Sequence, residues 1–166
     1  MKIIKDFLSE SLFDDLKQKF DTIDEKKSHD EMEAGLHYSC LRLHGKEVKY
    51  GPTLMDPIFL DTLETELKSK LPRCNSINVQ FCLWSCDSEL QMHFDSPYKF
   101  GATLYINNWT EKWGGLFQWK DKKCKTLKSY CPEKNSLILN DIDEEHMVSK
   151  IITTKETRKC LQIWGK

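Results

Sequence analysis

The 166-residue sequence has no apolar run approaching the roughly 20 residues that cross a bilayer, so no membrane partner is expected. Its opening, Met1-Lys2-Ile3-Ile4-Lys5-Asp6-Phe7-Leu8, reaches an acidic side chain too early to form the apolar centre of an export signal. Cys-x-x-Cys pairs are missing, and the seven cysteines, an odd number, are scattered. They read as reduced thiols, which makes a cytoplasmic location the expectation (a host's cytoplasm if the source is a virus). Cys82 and Cys86 with His93 are an alternative metal set, but the four-ligand spacing of structural zinc is absent. An excess of either charge is lacking too: 25 basic against 26 acidic residues leave a net −1. General attraction for nucleic acid or acidic membranes is thereby excluded, and nucleic acid is not an expected partner. No repeat, low-complexity tract or linker divides the chain.

What is present describes an ordinary globular protein, with 39% hydrophobic and 31% charged residues. One domain, 1–166, is expected, with residues 1–74 as helical support and substrate-side loops and 75–166 as a β core. Leu8, Leu12, Phe13, Leu16 and Phe20 recur at helical spacing, and Ser11 with Asp14 suggests a capping box. Residues 21–33 read as a solvated loop. Residues 35–43 alternate like a strand, followed by turns at 44–46 and 50–52. Asp56-Pro57 opens a second helix lined by Phe59, Leu63, Leu67 and Leu71 and stopped by Pro72.

After Asn75 the texture is β throughout. Strands are expected at 77–84, around His93, and at 101–107, 116–119, 136–139, 147–152 and 158–164. Lys120 to Lys128 forms a basic hairpin. Helices followed by about eight short strands is the pattern of a sandwich or barrel. Along a strand, residues two apart share a face, so His93 and Asp95 can converge on one point. Two imidazoles and a carboxylate on one side of an ion suit Fe(II) and leave positions open for chemistry, which makes His146 the candidate third ligand. Taken singly the residues have blander readings. His146 could cap the acidic turn 141–145, Arg158 could be a solvated charge, Tyr105 a strand aromatic, and His37 and His44 surface imidazoles. The hairpin lysines (Lys120, Lys122, Lys123, Lys125, Lys128) read as a soluble edge or as a seat for an acidic partner.

Together the features stand in one order: His93-x-Asp95, then Thr103-Leu104-Tyr105-Ile106-Asn107, then Gly114-Gly115, then His146-Met147-Val148, then Arg158 six residues before Trp164. In that order the chain resembles the 2-oxoglutarate- and Fe(II)-dependent oxygenases, in particular the prolyl 4-hydroxylase-like branch. The resemblance covers about 75–166 and implies a double-stranded β-helix (jelly-roll, cupin-like) core flanked by two helices. It implies His93, Asp95 and His146 as iron ligands and as the catalytic set. Arg158 would grip the distal carboxylate of 2-oxoglutarate with its planar fork, Tyr105 would hydrogen-bond the same group, and Thr103 would be a further contact. The activity implied is hydroxylation of a protein, peptide or small molecule with O2, releasing succinate and CO2, and with ascorbate as an accessory reductant. A non-catalytic metal- or ligand-binding β-barrel and an oxidative demethylase of nucleic acid are the rival readings. The demethylases carry a second arginine where this chain has Trp164, and Trp84 stands where many relatives have a tyrosine near the cosubstrate. Arg158 also follows His146 by twelve residues, a slightly longer interval than usual.

Overall fold

The computed structural model describes residues 1–21, 40–44, 57–141 and 143–166. Most of the 21–33 loop, the start of the 35–43 strand, His37, the turn residues at 45–46 and 50–52, and the Asp56 cap lie outside them. The elements in chain order are β1 (Lys2–Ile4), α1 (Glu10–Asp21), β2 (Cys40–His44), α2 (Pro57–Lys70), β3 (Ile77–Trp84), β4 (Leu90–His93) and β5 (Phe100–Tyr105). A 3-10 turn at Glu111–Trp113 follows, then β6 (Phe117–Lys120), β7 (Leu127–Tyr130), β8 (Leu137–Asp141), β9 (His146–Val148) and β10 (Arg158–Gly165).

The strands form two antiparallel sheets, a larger one ordered β1-β8-β5-β10-β3-β2 and a smaller one ordered β4-β9-β6-β7. From β3 to β10 the chain passes from one sheet to the other at every step except the β6–β7 hairpin. That alternation is the jelly-roll, or double-stranded β-helix, and it brings residues distant in sequence onto facing surfaces.

At β5 and β10 both faces of the larger sheet are covered, and this decides where the functional side chains can point. β5 is buried at every position, and β10 alternates between two environments. Leu161 and Ile163 pack with Ala102, Leu104 and the buried residues of both helices in one apolar cluster. The intervening residues of β10, Arg158, Gln162 and Trp164, line the space between the sheets. Period-two alternation thus gives the strand one structural and one chemical face.

The α1 stripe Leu12, Phe13, Leu16 and Phe20 is fully buried, each side chain worth about 1.5–3 kcal/mol. The helix begins two residues earlier than a Ser11 capping box requires. Glu10 is its first residue, and the Phe13 amide donates to the Ser9 carbonyl at 2.9 Å. Ser11 therefore sits inside the helix. Ser9 does not cap with its own hydroxyl either: its amide and hydroxyl both donate to Glu66 of α2, at 2.8 and 3.1 Å. In α2, Phe59, Leu63 and Leu67 are buried as expected, and Leu71 follows at the end.

Candidate metal and anion site

The two sheets enclose a cavity of about 290 Å³. On the small-sheet side, His93 of β4 and His146 of β9 are direct cross-strand partners. Their rings lie 4.3 Å apart at 57°. A register shift between Leu90 and His93 bends β4 at this point, a common device for re-aiming a side chain. Each imidazole donates its Nδ1 hydrogen to a backbone carbonyl two residues back, His93 to Gln91 and His146 to Glu144, both at 2.8 Å. Those bonds fix the tautomer and leave both Nε2 atoms as acceptors. Phe117 stacks on His146 with ring centroids 5.2 Å apart. Burial holds the His146 pKa below its ordinary value, so the ring is neutral at physiological pH.

Asp95 was expected to join them through the pleat of one strand. The strand instead ends at His93, and Asp95 lies two residues beyond, before a turn containing the cis Ser96–Pro97 bond. Its carboxylate still arrives: Oδ2 is 3.4 Å from His146 Nε2 and Oδ1 is 3.9 Å from His93 Nε2. What places it comes from the opposite sheet. Asn140 Nδ2 donates to Oδ2 at 2.7 Å and Trp164 Nε1 donates to Oδ1 at 3.1 Å. The three ligand atoms lie within 4.8 Å of one another, and no other such cluster of His, Cys, Asp or Glu occurs among the described residues. Cys82, one of the alternative zinc ligands, lines the cavity but is not in the cluster, and neither is Cys86. Adjacent ligands of an octahedral ion with bonds of about 2.1 Å stand about 3 Å apart, so small inward movements close the set. Two neutral imidazoles and one carboxylate suit a ferrous ion.

On the larger sheet, Arg158 is 1% exposed yet enters none of the ion pairs among the described residues. Its guanidinium carbon lies 4.4 Å from the Trp84 ring and 5.8 Å from the Tyr105 ring. One Nη1 hydrogen goes to the Gly115 carbonyl, while Nε has no hydrogen-bond partner among the described residues. The Gly-Gly turn serves this contact. Both glycines have positive φ, and a Cβ on Gly114 would meet the Lys150 carbonyl at 1.9 Å. Asn107 explains the Tyr-x-Asn strand end, since its amide donates to Thr157 O at 3.0 Å and accepts from Lys159 N at 2.9 Å. It grips the backbone on both sides of Arg158.

The Tyr105 hydroxyl is buried with no partner, and burial raises its pKa, so it remains a donor. Thr103 is buried in the same cavity, but its hydroxyl donates to Gln162 Oε1 at 2.8 Å. Burial would raise the thiol of Cys160, the cross-strand partner of both Cys82 and Tyr105; hydrogen bonding with Cys82 and the Arg158 charge bring it below the usual thiol value. The structure places all six residues singled out in the sequence, His93, Asp95, His146, Tyr105, Thr103 and Arg158, around the one cavity. Sequence reasoning missed Asn140 and the cavity-lining Gln80 and Gln162, and it read Trp164 only as an aromatic. Counting by twos from Arg158 along the last strand would have found Gln162 and Trp164; nothing local marks Asn140. The basic hairpin is largely self-neutralised. Lys122 pairs with Asp143 at 2.6 Å, Lys128 with Asp121 at 2.7 Å and Lys120 with Glu145 at 3.4 Å, which favours the soluble-edge reading.

No protein-family model and no curated protein sequence matches this chain. Solved structures do. A prolyl 4-hydroxylase from Pseudomonas putida superposes with a TM-score of 0.71 at 15% identity, covering 99% of this chain and 91% of its own. A prolyl hydroxylase from Trichoplax adhaerens, solved with a peptide fragment of a hypoxia-inducible factor degradation domain, gives 0.68 at 14% identity, covering 99% and 82%. An oxidoreductase of the 2-oxoglutarate-Fe(II) oxygenase family from Burkholderia pseudomallei gives 0.60 at 14%, covering 89% and 76%. At these identities the likeness is one of fold. The chain has the jelly-roll fold of the 2-oxoglutarate- and Fe(II)-dependent oxygenases, in the form seen in prolyl 4-hydroxylases, as its sequence led us to expect.

Proposed function

We propose that this protein is an Fe(II)- and 2-oxoglutarate-dependent dioxygenase that hydroxylates a peptidyl, prolyl-type substrate. The observation that carries the reading is the pairing of two half-sites across one cavity. His93, Asp95 and His146 converge on one side, and on the other lies the buried Arg158, which pairs with no carboxylate among the described residues. A cation kept out of water without an anion is costly, and a dicarboxylic cosubstrate would supply the missing charge. Arg158 binds its far carboxylate, stiffened by the Trp84 face and the Asn107 grip on its backbone. Tyr105 donates its idle hydroxyl to the same group. Ferrous iron held by the triad would supply open coordination positions for a 2-oxo acid and dioxygen. The apolar walls Phe117 and Val148 keep water from the reacting centre.

A peptide is preferred because the Trichoplax relative in fold was solved with one, and the rim of the cavity presents Phe94, half exposed, beside the Tyr98–Trp164 stack. Small-molecule hydroxylation is the second outcome of the test. The protein is incubated with Fe(II), ascorbate and 2-oxoglutarate, with and without proline-rich peptides, and succinate is measured. We expect succinate from the wild type and none from His93→Ala. Equal turnover by both, or none by the wild type under any condition, would sink the assignment.

A further inference from the structure

We propose that Asn140 and Trp164 are positioning residues that lock the Asp95 carboxylate in the orientation in which it meets the metal. The inference rests on the metal-centre reading above. The two histidines belong to the small sheet, but both donors to Asp95 come from the large one, Asn140 on β8 and Trp164 on β10. One N–H engages each carboxylate oxygen, which stops the group from rotating about its Cβ–Cγ bond. A free carboxylate loses that rotation only when an ion arrives, at a cost in affinity. Held on both oxygens beforehand, Asp95 keeps a lone pair free on each and meets the ion already oriented.

The large sheet is shaped around this contact. Gly101 is the β5 residue paired with both Trp164 and Asn140. A Cβ there would lie 1.9 Å from Asp95 Oδ2 and 2.9 Å from Asn140 Nδ2. The missing side chain is the space in which the carboxylate and the amide meet. Asn140 is 1% exposed and its Nδ2 bond to Asp95 crosses between the sheets, so its placement is not a surface accident. Trp164 is also stacked on Tyr98 at 5.7 Å, which orients the indole N–H toward Oδ1.

The test is Co(II) titration of the otherwise metal-free protein, without cosubstrate, by calorimetry and visible absorption. Trp164→Phe is the deciding variant, because it keeps an aromatic ring against Tyr98 and removes only the donor; Asn140→Ala is the companion. We expect one Co(II) per wild-type chain and about 10- to 100-fold weaker binding by Trp164→Phe, with altered intensity of the d–d bands as the freed carboxylate changes its angle to the ion. The metal-free melting temperature of Trp164→Phe should stay within a few degrees of wild type, which a merely structural role would not allow alongside the affinity loss. Co(II) binding by Trp164→Phe with wild-type affinity and a superimposable spectrum overturns the inference and leaves the metal centre standing. Wild-type protein that takes up no Co(II), or His93→Ala that binds it equally well, removes the metal centre itself and the inference with it.

Discussion

Replacing Arg158 by methionine separates an anion receptor from a structural strut. Burying an ion costs several kcal/mol, and Arg158 is 1% exposed with no carboxylate partner among the described residues. Against that cost stand the Trp84 face, worth about 2 kcal/mol for a desolvated cation, and the charged hydrogen bond to Gly115 O, worth about 1.5–3 kcal/mol. These terms nearly cancel. Methionine, of similar length and without charge, should therefore change the ligand-free stability by no more than about 2 kcal/mol, or about 4–8 °C in Tm for a chain of this size. Ligand binding should respond very differently. Losing one partner of a buried charge pair costs about 2–5 kcal/mol, which is about 30- to 5,000-fold in affinity. In differential scanning fluorimetry with Ni(II) present, 2-oxoglutarate at 100 times its Kd should stabilise the wild type by about 2.7 kcal/mol, or about 5–11 °C. The same concentration should leave Arg158→Met unshifted. A retained shift would show that the cosubstrate docks elsewhere, and a ligand-free Tm lowered by more than about 15 °C would show that Arg158 holds the fold.

Gly101→Ala should abolish Co(II) uptake while the chain still folds by circular dichroism, because its methyl group would occupy the place of Asp95 Oδ2. Asn107→Ala removes the hydrogen bonds to Thr157 O and Lys159 N, so a loss of about 1–3 kcal/mol is expected, measurable by urea denaturation, with weaker 2-oxoglutarate binding. Asp21 ties α1 to β10 through Lys159 at 2.8 Å. Its desolvation would raise its pKa, but hydrogen bonds from Lys159 and Lys17 more than reverse this, so the folded value is lowered. Its stabilisation is present above the usual carboxylate range and fades as pH falls below about 4. Asp21→Asn should accordingly melt up to about 4 °C below wild type at pH 7, a difference that shrinks as the pH falls below about 4.

The fold was legible because the apolar code is local and unambiguous. Leu12, Phe13, Leu16 and Phe20 could only be one helical stripe, and the run from Ile77 to Trp84 forms the strand expected of it, residue for residue. The three-residue β1 escaped notice because it is held by pairing with β8, a partner far along the chain. The candidate site residues were equally visible, since His93, Asp95, His146 and Arg158 are residue types whose spacing carries meaning. Asn140 was not. An asparagine near the end of an apolar strand says nothing until the sheets are stacked and its amide is found against Asp95. The Ser11 capping box failed for a related reason: Ser9, one residue outside the helix, was engaged by Glu66 from another element.

β10 is synthesised after every other strand described, yet it occupies the interior of the larger sheet with β5 on one flank and β3 on the other. Until residues 158–165 leave the ribosome, those two neighbours face an empty slot, and neither Arg158 nor Trp164 exists to complete the pocket.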